Sequence, residues 1–416
     1  PAVPGHYTRG MPITYQERVL DNGLRVVGEI DPDAHSAAGG FFVATGARDE
    51  DSRLMGVSHY LEHMMFKGTD DLSADDINRI FDEIGARNNA YTSSEVTCFY
   101  AQVLPEHLTC AIDTLGRMMR PALRQDDFDT EKQVILEEIA MYKDNPFWVL
   151  YEACVEAHYA GDGMAHRVLG TEQTIGDLQR DEMMGYFTQR YSADNTIVSL
   201  AGRVDFDGVV AQLNELCGSW TPTSPKARSP LGPRTDHEVR LTDERVNRAY
   251  MIGMSEAPSS KDLRRYASAL LAQVLGAPDN SRLHWALIET GLAEEAQASF
   301  DPHDGTGSYL VYASGDPERV DEIWSVIERE VEQAAASVTL DDLERLRTKL
   351  ATGVTLAGEK PHDRMQRLGR VWTSVGEYVS LEDELERINS VTLDDIREVA
   401  EAYPLRPQTV GRLTPG

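Results

Sequence analysis

The order of predicted helices and strands repeats in the two halves of this 416-residue chain. Each half begins with strand-like runs, continues through long helical runs, and closes on a helix followed by an apolar strand. The closing helices are predicted at residues 177–191 and 392–403, and the closing strands at 195–201 and 408–413. Half a chain is far longer than a solenoid repeat of about 20–50 residues. The sequence therefore predicts a duplicated α+β unit.

The other predicted elements follow from hydrophobic periodicity and turn residues. In the first half we expect strands at residues 24–27, 39–44, 89–92 and 97–104, and helices at 73–84, 106–119 and 126–142. In the second half we expect strands at residues 247–254, 296–300 and 308–313, and helices at 260–275, 317–337 and 340–356.

A proline-rich stretch separates the two halves. Residues 217–233 contain four prolines among Ser, Thr and Gly, a composition that extends neither a helix nor a central strand. We therefore expect an N-terminal domain at residues 1–220, a linker at 221–235 and a C-terminal domain at 236–416. The chain is long enough for two hydrophobic cores.

The most informative motif is His-x-x-Glu-His at His59, Glu62 and His63. On a helix the two histidines are one turn apart and point the same way, so both imidazoles can reach one metal ion. Glu62 lies on a neighbouring face, where its carboxylate can act as a base toward water. Catalytic zinc takes two or three protein ligands of this kind and keeps one open position. The motif alone also arises by chance, and it leaves a third ligand to be found.

A second helical run offers that ligand. Its predicted buried stripe consists of Val134, Ile135, Ile139 and Tyr142. Glu138 lies among these apolar residues, whereas Glu137 points toward the polar side. A buried carboxylate is costly unless it is paired or binds a metal, so either a core ion pair or a ligand is possible here. Glu131, two turns earlier, is placed to accept the N–H of a ligand imidazole.

These motifs resemble the pitrilysin family of inverzincin metallopeptidases, which includes insulin-degrading enzyme and the mitochondrial processing peptidase. The likeness covers residues 20–27, 44–50, 84–92 and the two glutamates seven apart. It implies two related α/β domains that form half of a clam-shell chamber, with one Zn²⁺ per chain held by His59, His63 and Glu138.

The resemblance also implies roles for other residues. Glu62 and Glu131 would belong to the catalytic machinery. The edge strand that binds the substrate would comprise four consecutive residues: Asn89, Ala90, Tyr91 and Thr92. Without the family likeness, that run is equally well a plain edge strand.

One departure from the family concerns its C-terminal Arg and Tyr, seven residues apart, which bind the scissile carbonyl. The corresponding positions here fall near Leu287 and Glu294. The loss of such oxyanion support costs about 3–4 kcal/mol for each donor. The resemblance therefore implies a heterodimer with a homologous subunit that supplies the Arg/Tyr pair. The alternative is a homodimer that uses Arg282 or another cation.

Composition limits the remaining classes of function. The formal net charge of −29 argues against binding of nucleic acid. It indicates either an acidic chamber that attracts basic peptides or a generally solvated acidic surface. No apolar run is long enough to span a membrane, and residues 1–6 show no signal peptide. The four cysteines, expected to be buried thiols, are Cys98, Cys110, Cys154 and Cys217, which favours the cytoplasm.

Two functions from different classes remain. The first is a zinc-dependent endopeptidase of the processing-peptidase type, which cleaves peptides or unstructured segments. The alternative is a non-catalytic assembly subunit, like relatives of the processing peptidase that form the core of respiratory complexes. The complete set of His59, Glu62, His63 and Glu138 favours the enzyme.

Overall fold

A computed structural model describes residues 13–228, 231–232 and 234–416. The expected absence of a signal peptide concerns residues that lie outside this described part, as do three positions of the proline-rich linker. The linker residues that are described form neither helix nor strand. No described helix is long and apolar enough to cross a membrane.

The first half builds a six-stranded sheet in the order β1-β2-β6-β3-β5-β4. The strands are β1 (Thr14–Val19), β2 (Arg25–Ile30), β3 (Ala37–Val43), β4 (Arg87–Thr92), β5 (Thr97–Val103) and β6 (Thr196–Gly202). All neighbours pair antiparallel except β2 and β6, which pair in parallel. β4 therefore lies at one edge, as the sequence predicts for residues 89–92.

The helices of the first half are α1 (Val57–Met65), α2 (Ala74–Glu83), α3 (Leu108–Met118), α4 (Gln125–Tyr142), α5 (Pro146–His158), α6 (Glu172–Asp177), α7 (Arg180–Arg190) and α8 (Phe206–Cys217). The single helix expected at residues 177–191 is wrong in its bounds. The chain leaves helical geometry at Leu178, which is extended, and α7 starts two residues later.

The second half builds a five-stranded sheet in the order β7-β11-β8-β10-β9. The strands are β7 (His237–Thr242), β8 (Ala249–Glu256), β9 (Ala293–His303), β10 (Thr306–Gly315) and β11 (Thr409–Thr414). The helices are α9 (Arg265–Gly276), α10 (Val320–Gln333), α11 (Leu340–Gly358), α12 (Pro361–Ser374), α13 (Leu381–Ser390) and α14 (Leu393–Ala402). The parallel pair β7 and β11 corresponds to β2 and β6. The predicted duplication of an α+β unit is confirmed.

Each half lends one helix to the other. α5 belongs to the first half in sequence, yet it packs on β7, β8 and β11 of the second sheet. α12 in turn packs on β2, β3 and β6 of the first sheet. Because of this exchange, the two halves share cores that no cut at the linker separates, and the domain bounds at residues 220 and 236 stay a prediction.

Two glycines permit these close packings. A Cβ on Gly369 of α12 would lie 2.4 Å from the ring of Phe42 in β3. A Cβ on Gly411 of β11 would lie 2.1 Å from Sγ of Cys154 in α5. Any larger residue would push the exchanged helix off the sheet, at a cost typical of overpacked cores.

The four cysteines are free thiols, and three of them are buried. The expectation that all four are buried is wrong for Cys110, which is exposed. Cys110 lies in the first turn of α3, on the side that faces away from the sheet. The apolar residues around it in the sequence belong to the opposite, buried face of the same helix.

Candidate metal centre

A buried carboxylate fixes the start of α1. Glu50 accepts hydrogen bonds from the backbone N–H of Gly56 (2.7 Å) and of Ser58 (2.8 Å). Gly56 has φ of 95°, a left-handed conformation that glycine adopts freely. Burial raises the pKa of Glu50 to about 8, although the two backbone donors favour its charged form. The carboxylate thereby satisfies donors at the helix N-terminus that would otherwise be unpaired.

Three side chains converge on one point between α1 and α4. Nε2 of His59 lies 3.8 Å from Oε2 of Glu138, and Nε2 of His63 lies 3.7 Å from the same oxygen. The candidate ligand atoms of the three residues all lie within 4.8 Å of one another. Ligand atoms around a tetrahedral zinc are about 3.3 Å apart, so a small inward shift of the side chains completes the set. The residues fit a zinc ion.

Glu131 holds one of the imidazoles. Its Oε1 lies 2.8 Å from Nδ1 of His63, and its other oxygen pairs with Lys67. Burial opposes the charge on His63, but the hydrogen bond and the surrounding carboxylates outweigh it and raise the pKa of His63. With Nδ1 occupied, Nε2 of His63 is the nitrogen left to face a metal.

His59 is the more deeply buried of the two histidines. Burial, reinforced by the neighbouring His63, lowers the pKa of His59 to about 4, so the ring is neutral near pH 7. A neutral imidazole is the form that binds metals. Nδ1 of His59 is buried without a hydrogen-bond partner among the described residues.

Glu62 is connected to the sheet edge rather than to the ligand set. The Thr92 hydroxyl donates a hydrogen bond of 2.7 Å to Oε2 of Glu62. Burial raises the pKa of Glu62, while the Thr92 bond partly offsets the rise. A raised pKa makes a carboxylate a stronger proton acceptor. Glu62 therefore lies beside the metal site with the properties of a general base.

The face assignment of α4 is right for the glutamates and wrong for one apolar residue. Glu137 is exposed, Glu138 is partly buried, and Ile135 and Ile139 are buried. Val134, predicted to belong to the buried stripe, is 44% exposed. At 100° per residue, Val134 lies well off the line through Ile135 and Ile139, on the open side of Glu138.

The four residues of the expected substrate strand lie on β4. Ala90 is buried, Asn89 is exposed, and Tyr91 and Thr92 are partly buried. One edge of β4 pairs with β5, and no described strand pairs with the other. Tyr91 donates a hydrogen bond of 3.0 Å to Gln366 on the exchanged helix α12. The open edge and Thr92 place the strand beside Glu62.

A buried ionic cluster surrounds Glu95, in the turn between β4 and β5, and the sequence does not predict it. Glu95 accepts a hydrogen bond from Arg48 (2.5 Å) and another from the backbone N–H of Asp304. Arg228 of the linker binds Asp49 at 2.8 Å and lies 3.5 Å from Glu95. Local periodicity carries no signal of such long-range pairs.

His303 completes this cluster from the second sheet. Burial opposes its charge, but Asp301 and Glu95 outweigh burial and raise the pKa of His303 to about 9. For Glu95 the burial penalty is likewise overcome, by His303 and Arg228, and its pKa falls to about 2. The cluster joins the linker and both halves, since it contains residues of each.

The two residues that the resemblance matches to the family's Arg and Tyr, Leu287 and Glu294, are not oxyanion donors. Leu287 is fully buried in the second core, in a π-helical turn. Glu294 pairs with Arg248 on the surface. Arg282 donates to the Ser337 carbonyl (2.7 Å) and to Asp342 (2.8 Å), so its guanidinium holds the fold together.

The fold and this site define a class of metallopeptidase-like proteins, and comparisons with known proteins agree. The family described as "Insulinase (Peptidase family M16)" matches residues 25–172, and "Peptidase M16 inactive domain" matches residues 177–350. The chain belongs to peptidase family M16, which confirms the resemblance to the pitrilysin group.

Several relatives are named as zinc proteases. One from Streptomyces coelicolor is 33% identical over 397 residues, which cover 93% of this chain and 86% of the relative. One from Mycobacterium tuberculosis is 32% identical over an alignment that covers 92% of this chain and 89% of the relative. The YmxG protein of Bacillus subtilis is 29% identical and covers 91% and 93%.

Solved structures share the fold across nearly the whole chain. A protease from Helicobacter pylori has a TM-score of 0.90 at 21% identity, covering 96% of this chain and 99% of that one. An M16 inactive-domain protein from Pseudomonas fluorescens has a TM-score of 0.88 at 16% identity, covering 97% and 98%. A chain of complex III2 from Candida albicans has a TM-score of 0.82 at 17% identity, covering 96% and 95%.

Proposed function

We propose that the protein is a zinc-dependent endopeptidase that cleaves peptides or unstructured segments. The observation that carries this proposal is the convergence of His59, His63 and Glu138 on one point. This donor set is of the His/His/Glu type found in catalytic zinc sites, and the names of the relatives support the choice of metal. When bound there, zinc would polarise a peptide carbonyl and make water a stronger acid.

Glu62 supplies the proton transfers in this proposal. Its carboxylate takes a proton from the attacking water and returns it to the leaving amine. The Thr92 hydrogen bond holds Oε2 of Glu62 in one direction. Burial raises the pKa of Glu62, which strengthens its carboxylate as a proton acceptor. Glu131 acts through His63 and is a positioning residue.

The open edge of β4 is the proposed seat of the substrate backbone. A peptide added there as a further strand would bind through main-chain hydrogen bonds, with little demand on its sequence. The strand residues available for this pairing are Asn89, Ala90, Tyr91 and Thr92. Only extended, unfolded segments can pair in this way, which is why we propose peptides and unstructured segments as substrates.

Exposed apolar side chains next to the site support a peptide substrate. Val134 and Met141, 44% and 64% exposed, flank Glu138 on the surface of α4. Trp148, at the start of α5, is also exposed. Trp148 lines the same cavity as Thr92, so this apolar side chain lies close to the end of β4.

The chain is proposed to act as the zinc-bearing subunit of a heterodimer. Neither Leu287 nor Glu294 can donate to an oxyanion, and Arg282 is committed to Asp342. A homologous subunit with Arg and Tyr at these positions would supply the missing donors and the other half of a chamber. The engagement of Arg282 weighs against the homodimer that relies on it.

A non-catalytic assembly subunit remains the second candidate, because the Arg and Tyr positions are altered. The likeness to a chain of complex III2 concerns the fold alone. Against this candidate, the ligand set is complete and Glu62 lies beside it. We place the protein in a reducing compartment such as the cytoplasm, which its four free thiols support.

The proposal is tested with a panel of quenched-fluorescence peptides. The chain is assayed with zinc, alone and together with a homologue that carries the Arg/Tyr pair, and the Glu62→Gln chain is the matched control. We expect cleavage of unstructured peptides by the pair and none by the control. Absence of cleavage under both conditions would contradict the proposed peptidase activity and favour the assembly subunit.

A further inference from the structure

The internal duplication allows a residue-by-residue comparison of α3 with α10. α3 follows β5 through a short turn that begins with Pro105. α10 follows β10, the strand that corresponds to β5, through a short turn that begins with Pro317. When these prolines are aligned, Gly116 of α3 corresponds to Glu328 of α10. Each helix covers the same face of its sheet.

In the first half, α8 packs against α3. Gln212 donates a hydrogen bond of 2.8 Å to the Thr109 carbonyl, and a Cβ on Gly116 would lie 2.2 Å from Leu216. The apolar stripe of α8 that faces the core consists of Phe206, Val209, Leu213 and Cys217, all buried. The position beside α3 therefore accepts an amphipathic helix with one buried apolar face.

In the second half, none of the helices in the described part of the chain occupies the corresponding place, and a groove lies there. It has a volume of about 1010 Å³ and lies between α10, β7, β11 and residues 404–407. Its apolar lining comes from Trp324 and Val331, which are largely buried in the second core, and from the partly buried Val410. The alignment that relates the two helices places Trp324 at the position of Ile112, a core residue of the first half.

The rim of this groove is acidic. Five carboxylates and two guanidinium groups line it. Asp321 is paired with Arg412 at 2.8 Å. Glu328 accepts only the indole N–H of Trp324, at 3.0 Å, and Glu332 makes no hydrogen bond or ion pair with a described residue. Glu328 and Glu332 are therefore the charges that an incoming helix would meet.

We propose that the groove seats an amphipathic α-helix of another protein, in the place that α8 occupies in the first half. The partner helix has an apolar stripe like that of α8 and carries Lys or Arg toward Glu328 and Glu332. A second copy of this chain is a poor occupant, because its net charge of −29 gives like-charge repulsion at an acidic rim.

The probe for this surface is a synthetic helical peptide of about 16 residues, with leucines at the spacing of the α8 stripe and lysines elsewhere. A matched peptide carries glutamates in place of the lysines. Binding of each labelled peptide is measured by fluorescence anisotropy to the Glu62→Gln chain, so that neither peptide is cleaved. We expect the lysine peptide to bind about tenfold or more tightly than the glutamate peptide.

Charge reversal locates the binding. Glu328→Lys with Glu332→Lys should weaken binding of the lysine peptide about tenfold, whereas the exposed pair Glu344→Lys with Glu386→Lys, on α11 and α13, should not. Circular dichroism confirms that both double variants are folded. Equal binding of the two peptides, or equal losses in the two double variants, overturns the proposal. The proposal is also overturned if the lysine peptide binds tightly but leaves the hydrogen exchange of the α10 backbone unchanged.

Discussion

The hydroxyl of Thr92 donates a hydrogen bond of 2.7 Å to Oε2 of Glu62. The bond joins the open edge of β4 to the helix that carries both histidines, so the proposed substrate strand and the proposed base are fixed relative to each other. A peptide that pairs with β4 would therefore reach Glu62 in a defined register.

Removal of this bond should slow hydrolysis without loss of metal. We expect Thr92→Val to lower kcat/KM about ten- to a hundredfold, because a lost hydrogen bond to a charged group costs about 1.5–3 kcal/mol. Thr92→Ser keeps the hydroxyl and should retain most activity, and Ser94→Ala is the control nearby. Peptide assays on the active complex measure all three. Equal activity of Thr92→Val and the wild type would show that the bond does not position the base.

Replacement of Glu62 by Gln should abolish turnover while zinc stays bound. The amide fills the same space and can still accept from Thr92, but it cannot take a proton from water. Zinc content and peptide hydrolysis are measured on the same preparation, with Glu83→Gln on α2 as the exposed control. Residual hydrolysis near the wild-type rate would assign the base to another residue.

The ionic cluster around Glu95 makes stability depend on pH. The pKa of His303 is raised to about 9, so its charged form adds stability that is complete below the ordinary histidine value of about 6.5. That contribution is lost as the pH rises through 9. The free energy of unfolding of the wild type should therefore exceed that of His303→Gln at pH 6, and the excess should shrink by up to about 3 kcal/mol by pH 9.5. Denaturant titrations at several pH values test this, and a constant difference would contradict it.

The isolated chain should have little activity of its own. Without the Arg/Tyr pair, the active site of the isolated chain lacks several kcal/mol of oxyanion stabilisation. This loss should lower the rate of hydrolysis by a factor of about a thousand. Addition of a homologous subunit that carries the pair should restore activity and form a complex with more than about 2,000 Å² of buried surface. Light scattering and peptide assays decide this, because a fully active homodimer would refute the divided site.

The sequence predicts the parts of the site that depend on local spacing. His59, Glu62 and His63 follow one helical turn, and the seven-residue spacing of Glu131 and Glu138 places both on one side of α4. The predicted burial of Val134 is wrong because an apolar stripe shifts around a helix along its length. Four apolar residues are too few to define where the stripe ends. Asn145 and Pro146, a cap followed by proline, were an available signal for α5 that periodicity missed.

Contacts between segments that are far apart in the chain do not follow from local sequence patterns. The exchange of α5 and α12 between the halves depends on the fit of Gly369 to Phe42 and of Gly411 to Cys154, which no spacing rule encodes. The pairing of Glu95 with Arg48, Arg228 and His303 joins segments far apart in the chain. Such contacts are visible only once both sheets are in place.

The zinc content of three purified chains tests the central claim most directly. We predict about one zinc per chain for the wild type and for Glu137→Gln, whose side chain is exposed on the far side of α4. Glu138→Gln removes one of the three converging ligands and should lower the zinc content sharply. Elemental analysis after dialysis measures all three. Equal zinc in Glu138→Gln and Glu137→Gln, or none in the wild type, would contradict the proposed metal centre.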